Sequence, residues 1–341
     1  MKKMILTLLF ALSLPLAMAQ AQDDPCIPID DDFWVPCEAD TGDDLSDDDP
    51  PPSPVSKRSN SDNDRILAST AANTAANSVA GQVASRMGFY PTSSICATEN
   101  CDDHYRASAW SSLSYNYYYK TGPEALIGGQ TLGLVGLDKW ASDNLLLGFA
   151  VTGERLNLGG PGDSRRKAAG LTVLPYLGYR LAENLALDAS FGHSWLDNDL
   201  WPEDSGKAIY ASRARRVFTA AGLAKAGLFG PLALSGRLGS LLLHQSKTYD
   251  QSMRPSEDNW NLFQTSLSGR AVYLAGDFKP HLGITYLQDI GRSGGDTAGA
   301  DFNLGFTWAM TACSELVLES VYGVRENMNK YGGRLAWQLN F

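Results

Sequence analysis

After its first 21 residues the chain has no apolar run approaching the roughly 18 residues that a membrane helix requires. If it enters a bilayer, it does not cross as helices. Basic residues are missing altogether from Gln20 to Ser56, where 12 acidic residues stand. Setting those acids and Lys2 and Lys3 aside leaves 26 acidic and 26 basic residues, so the net charge of −10 resides in one short segment of an otherwise balanced chain. No basic patch speaks for a nucleic-acid partner. Histidine is scarce, with four residues, and cysteine nearly so, with five. No histidine stands at ligand spacing from a cysteine pair, which weighs against zinc. The aspartate runs lack the D-x-D-x-D-G spacing of a calcium loop and read as a solvated spacer. GGPGDSRRK lacks G-x-x-x-x-G-K-[ST], so it is no phosphate loop, and GRSGGDTAG likewise reads as a loop. No cofactor is expected.

What is present begins with MKKMILTLLFALSLPLAMAQA: two lysines, an apolar core from Met4 to Leu16, then small residues fitting an A-x-A cleavage site at Ala17–Ala19 or Ala19–Ala21. This predicts a secretory signal peptide over 1–21, against the alternative of a retained anchor. In an exported chain the close pairs Cys26 with Cys37 and Cys96 with Cys101 read as disulfide candidates, zinc being the competing reading, while Cys313 has no evident partner. Residues 22–61 are acidic and proline-rich, with too little apolar surface to offset the entropy of ordering, and read as a disordered tail. Over 62–88 a slim helix is expected, capped by Asp62 or Asp64, running from about Arg65 to Met87 and stopping at Gly88. Its side chains are nearly all Ala, Ser, Thr or Asn, so it would make a poor core element. At ~1.5 Å per residue it spans about 33 Å, close to the thickness of bilayer hydrocarbon. It is shaped to lie inside something narrow and polar; a flexible linker is the alternative. Residues 89–105 read as a connection.

From Arg106 onward the period is two. Strands are predicted near 107–119, 129–139, 145–158, 168–181, 184–197, 212–225, 231–245, 262–275, 278–290, 300–310, 316–326 and 330–341. The alternation is clearest in Phe302, Leu304, Phe306, Trp308 and Met310, and in the terminal Leu335, Trp337, Leu339 and Phe341. Strand 145–158 slips phase near Gly153, as a bulge would cause. Connections alternate between tight (ASDN, AEN, LFGP, GDFKP, TACSE) and long, the pattern of an outer-membrane barrel, and aromatics near strand ends suit interfacial girdles. A β-sandwich also alternates, but its strands are typically ~5–6 residues long and its apolar faces need a covering layer. Here the strands are about twice that length and nothing covers them. Lipid needs no cover; it requires that every backbone group be paired, which a closed barrel achieves. The predicted fold is therefore an all-β, about twelve-stranded antiparallel transmembrane barrel over 106–341 with an N-terminal helix in its pore.

A charge facing hydrocarbon at mid-depth costs roughly 2–4 kcal/mol, which places Glu154, Asp188, Arg237, Arg270, Asp289, Glu319, Arg325 and Arg334 towards the lumen. They are expected either to pair with one another or to bond the Asn, Ser and Thr of the helix and hold it as a plug. Of the histidines, His104 and His281 fall near the short-turn rim, His193 shares parity with Phe191 and Trp195 and points outward, and only His244, beside the long loop with Asp250, is placed for chemistry at the rim. No partners for an Asp–His protease or Ser–His lipase can be named. No catalytic or metal-binding residue is assigned.

Signal peptide, exported segment, slim helix, about twelve long strands and a terminal phenylalanine together resemble the translocator domain of the autotransporters of type V secretion, over residues 62–341. The resemblance implies that the helix occupies the pore, that the segment before it emerges at the cell surface, and that Leu335, Trp337, Leu339 and Phe341 are read by the barrel-assembly machinery. It implies outer-membrane lipid, that machinery and periplasmic chaperones as partners, a monomeric barrel, and a Gram-negative outer membrane as location. Two departures stand out. Only about forty residues precede the helix where the family carries long repetitive passengers, and Asn73 and Asn77 are not adjacent, so an uncleaved helix is expected. The expected role is insertion and the export and anchoring of a short acidic segment, without catalysis. The alternatives are a small-solute porin with an N-terminal plug and an outer-membrane enzyme barrel.

Overall fold

The computed structural model describes residues 57–89, 106–121, 125–160, 165–201, 210–249, 258–274, 276–290, 298–311, 313–325 and 328–341. The candidate signal peptide, most of the acidic tail, the connection 91–105, Cys26, Cys37, Cys96, Cys101, His104 and Asp250 lie outside the described residues. One helix, α1 (Lys57–Arg86), precedes twelve strands: β1 (Ala107–Lys120), β2 (Leu126–Trp140), β3 (Leu145–Gly159), β4 (Arg165–Ala182), β5 (Leu185–Trp201), β6 (Tyr210–Phe229), β7 (Leu232–Tyr249), β8 (Asp258–Tyr273), β9 (Phe278–Ile290), β10 (Ala298–Thr311), β11 (Ser314–Arg325) and β12 (Met328–Asn340). Two compact units are distinguished, Met1–Arg65 and Ile66–Phe341. Of the first only the opening turns of α1 are described; everything that follows concerns the second.

Each strand pairs antiparallel with its neighbours in sequence, and β1 pairs with β12 to close the barrel. Closure is complete to the end of the chain. Ser108 stands opposite Asn340 and Lys120 opposite Met328, and beyond that ladder the Ala107 and Phe341 backbones exchange two hydrogen bonds of 3.1 and 3.0 Å. No sheet edge is left between β1 and β12 to solicit another strand.

The barrel is inside out relative to a water-soluble protein. Leu238, Leu267 and Leu304 are 61%, 60% and 62% exposed, and Phe149, Phe191, Ile284 and Trp308 share that outer face. Polar side chains such as Asn116, Gln130, Ser194, Gln264 and Thr307 are buried on the inner one. At about 25 cal/mol per Å² such a belt is unstable in water and stable in hydrocarbon.

Two expectations are corrected. The ladders through Gly153 are unbroken on both sides, Gly133 opposite Gly153 and Gly153 opposite Leu171, so no bulge occurs there. Irregularities lie instead at Arg180/Ala182 and Ala309/Thr311, both beside tight turns. What slips in β3 is polarity, not register: past Gly153 the outer face carries Arg155 and Asn157, while Leu156 and Leu158 point inward and join Ile66 and Leu67 of α1 in one cluster. Above the lipid belt the outer face meets water and the inner face meets the helix.

The helix also begins earlier than expected, at Lys57, which makes Asp62 and Asp64 interior positions and not caps. No proline or glycine interrupts residues 55–80, so nothing in the covalent chain stops the helix from extending upstream. Its other end is where the sequence places it. Gly88 adopts φ +77°, its N–H donates to the Ser85 carbonyl at 3.1 Å, and Phe89 donates to the Ala84 carbonyl at 3.0 Å. This is a Schellman motif, which requires a left-handed residue at Gly88.

Candidate functional site

The site is the barrel interior, and α1 occupies it. Ile66 lies at the long-loop rim with Leu156 and Leu158; Met87 lies at the short-turn rim, close to Gly178 of β4. The helix presents two different sides to the wall. Ala68, Ala71, Ala72, Ala75, Val79 and Val83 belong to one apolar cluster with Leu132 and Leu134 of β2, Leu146 of β3, Leu174 of β4, Phe218 of β6, Leu241 and Leu243 of β7, and Leu262 of β8. Small helix side chains meet large wall side chains, which lets the backbone of α1 approach the sheet. Gly178 shows how close: a Cβ built there would fall 2.5 Å from Cγ1 of Val83. The inner wall of β2–β8 therefore carries an apolar stripe against α1 among its polar side chains, where a narrow, polar surrounding was expected. Leu132, Leu134 and Leu146 lie in strands whose two faces are both apolar, so alternation could not sort them.

Polar contacts fasten the helix elsewhere. At the short-turn rim Asp138 of β2 is the hub. Gln82 Nε2 donates to its Oδ2 at 2.9 Å and to Ser108 Oγ at 3.0 Å. Ser108 Oγ donates to Asp138 Oδ1 at 2.8 Å and Tyr176 Oη to Oδ2 at 3.1 Å. Arg86 completes an ion pair with Asp138, Nε to Oδ1, at 3.1 Å, and its Nη1 donates to Asn340 Oδ1 at 3.1 Å. Ser85 Oγ lies 3.3 Å from both Glu315 Oε1 and Gln338 Oε1. Towards the other rim, Arg325 Nη1 donates to Ser69 Oγ at 3.0 Å, and Asn73 donates to Gln264, whose amide in turn donates to Asp289 at 2.6 Å. Thr70, Thr74 and Ser78 instead donate to carbonyls four residues back within α1, each at 2.8 Å. Their hydroxyls are satisfied within the helix, and Thr70 also bonds Tyr118 of β1.

The eight ionisable residues singled out from sequence all stand on the inward-facing positions of their strands. Most of them pair across the wall. Arg237 grips Asp188 with two bonds of 2.8 and 2.7 Å. Arg216 Nη1 reaches Glu154 at 3.0 Å, and Gln130 donates to the same carboxylate at 2.8 Å. Glu319 receives Arg270 and Arg334, each at 3.2 Å, and His281 Nε2 at 3.0 Å. Asp289 pairs with Arg325. Of the eight, Arg325 bonds α1 directly, and Arg334 lies where a Cβ on Gly81 would meet its Nη2 at 3.9 Å. Sequence reasoning missed Asp138, Ser108, Gln264 and Glu315 as helix anchors. The legible signal was on the helix: Gln82 and Arg86, four apart, are long polar side chains on an otherwise slim stretch.

Two small cavities flank the polar side of α1. One, of about 40 Å³, is lined by Thr70, Asn73, Asn77, Asp301 and Lys330. The other, of about 60 Å³, is lined by Ser78, Gly81, Ser85, Arg270 and Arg334. At ~10–15 Å³ for one water, each has room for a few.

The histidines do not assemble chemistry. His281 is buried against Glu319. His193 faces outward and stacks on Trp195 with ring centroids 4.4 Å apart. His244, which its sequence position beside a long loop places for rim chemistry, lies elsewhere: β7 continues to Tyr249, so His244 sits below the rim on the outer face, exposed, with Nδ1 2.7 Å from Asn261 Oδ1. Cys313, in the tight turn between β10 and β11, is a free thiol. Among the described residues no cluster of three or more potential metal ligands occurs.

No protein-family model and no curated protein sequence matches the chain. Solved structures do. The β-domain of the Bordetella autotransporter BrkA superposes with a TM-score of 0.59 at 16% identity, covering 69% of this chain and 100% of that one. The translocator domain of the autotransporter NalP from Neisseria meningitidis gives 0.57 at 12% identity, over 79% and 100%. The transport unit of the autotransporter AIDA-I from Escherichia coli gives 0.52 at 13%, over 76% and 98%. At these identities the likeness establishes the fold: a closed twelve-strand barrel of the autotransporter translocator type.

Proposed function

We propose that this chain is an outer-membrane translocator barrel that inserts itself, carries its acidic N-terminal segment to the cell surface and keeps α1 in the pore as an anchor and plug. The observation that carries this reading is the lodging of α1. A helix too small to form a core is packed along one wall and pinned at both rims, with its N-terminal side at the long-loop rim and its C-terminal side at the short-turn rim. Ile66 stands at the long-loop rim, the side that faces outward in outer-membrane barrels, which supports export of the segment before α1. Leu335, Trp337 and Leu339 lie along the outer face of β12 and Phe341 follows its last residue, accessible to the assembly machinery before the ladder with β1 forms. Structural roles account for the interior charges, and no catalytic step is proposed.

Protease added to intact cells tests the export. Cleavage within residues 22–60 without permeabilisation is the expected result; protection until the outer membrane is broken overturns export and favours a porin with a periplasmic plug. In planar bilayers, deletion of 65–87 should raise single-channel conductance many-fold, whereas unchanged conductance sinks the plug.

A further inference from the structure

Charge is distributed unevenly around the outside of the long-loop rim. On β3–β6 the outward positions just above the apolar belt carry Arg155, Arg165, Lys167, Arg213 and Arg215, all exposed. At the same height, β1, β2 and β7–β12 present no charged side chain outward among the described residues; their outer face shows Tyr115, Tyr117, Tyr119, Tyr322 and Tyr331. The register groups the basic residues. Arg155 stands opposite Ala169, so Lys167 is its diagonal neighbour, about 7–8 Å away. Arg213 and Arg215 share one face of β6, and Arg215 stands directly opposite Trp195, an aromatic of the belt. Asp197 and Asp199 of β5 lie between the two groups, Asp197 directly opposite Arg213 and Asp199 directly opposite Lys167, so the patch carries five basic and two acidic side chains and keeps a net positive charge. Asp197 approaches Arg213 only to 3.9 Å, with both side chains over four-fifths exposed, so it does not neutralise that guanidinium.

We infer that this half of the rim binds phosphate-bearing lipid headgroups of the outer leaflet. The inference rests on the proposed membrane placement. Guanidiniums match phosphate oxygens with paired N–H donors, and a cluster at the edge of an apolar belt meets headgroups at their own depth, where Trp195 packs against the acyl boundary. The tyrosine half offers hydroxyls and rings to neutral headgroups. An anionic lipid then gathers along β3–β6 and leaves the rest of the circumference unmarked.

The test uses the full chain, folded in nanodiscs of phosphatidylcholine alone or doped with a phosphorylated glycolipid (lipopolysaccharide), and a third sample of glycolipid-doped discs with inorganic phosphate in solution. The variant Arg155→Gln/Lys167→Gln/Arg213→Gln/Arg215→Gln is compared with Lys139→Gln/Lys225→Gln at the opposite rim. Retention of glycolipid through detergent washing, read by native mass spectrometry, should fall at least several-fold in the first variant and hold in the second. A heat-shifted band on gels certifies folding of each. Equal loss in both variants, or none in the first, overturns the site, and displacement by inorganic phosphate would reassign it to a soluble anion. Failure to enter any bilayer would instead indict the membrane reading itself.

Discussion

The two walls of the barrel hold the same helix by different physics. Along β2–β8 the contact is mainly apolar, Ala and Val against Leu and Phe, with Gly178 letting the helix backbone come close and polar pins at its margins, Asp138 of β2 and Gln264 of β8. Along β9–β12 it is polar, broken by two cavities, and supported by side chains that chiefly satisfy one another. Packing is nondirectional and supplies area; hydrogen bonds are directional and supply register. A slim helix given only the first could slide along its axis, and given only the second would leave a wet, leaky channel. The pins at Asp138 near one rim and Arg325 near the other fix its height.

Breaking the ion pairs of each wall gives the largest contrast. Arg216→Met removes the guanidinium paired with Glu154 and leaves that carboxylate buried beside the neutral Gln130 and Tyr118, and should cost about 3–5 kcal/mol in urea unfolding from lipid. Arg334→Met leaves Glu319 still facing Arg270 and His281, and should cost less than half as much. Equal costs would show that the two walls are not organised differently. Asp138→Asn removes the charge paired with Arg86 and weakens bonds from Gln82 and Ser108. A loss of about 1.5–3 kcal/mol is expected, localised as faster hydrogen exchange over residues 79–87 with β5–β8 unchanged. Gly178→Val should push α1 off the packed wall and raise conductance without unfolding the barrel; an unaltered channel would mean that the 2.5 Å approach to Val83 is not limiting. The smallest effect belongs to the polar side. Gly81→Ala meets only Arg334 at an ordinary 3.9 Å, and should stabilise α1 by roughly 0.5–1 kcal/mol through helix propensity alone.

Most of the architecture was legible because membrane strands obey one strong rule. Long period-two runs and alternating loop lengths placed twelve strands with ends mostly within a few residues of those observed, and closure followed from the need to pair every backbone group. The rule failed where its premise did. In β3 the solvents of the two faces change along the strand, so Leu156 and Leu158 read as a phase slip. In β2 both faces are apolar, so the inward Leu132 and Leu134 gave no sign of a helix beside them. The upstream start of α1 was not legible because the interval from Ser56 to Asp64 offers several capping residues, Ser56, Ser59, Asn60, Ser61, Asp62, Asn63 and Asp64, and no breaker that selects among them. Inward charges could be placed by parity, but their partners could not. Whether Glu319 meets α1 or Arg334 depends on three-dimensional register, which a single strand does not carry.

The account stands on α1 lying inside the barrel against β4, and a disulfide tests it directly. Val83→Cys with Gly178→Cys, in a chain whose five native cysteines are replaced by serine, brings two Cβ atoms to the roughly 3.5–4.5 Å that a disulfide spans, given the 2.5 Å between a Cβ at Gly178 and Cγ1 of Val83. Oxidation of the folded, membrane-inserted protein should form this bond nearly quantitatively and leave the heat-shifted band intact. Free thiols that remain open to a membrane-impermeant maleimide in the folded barrel would contradict it.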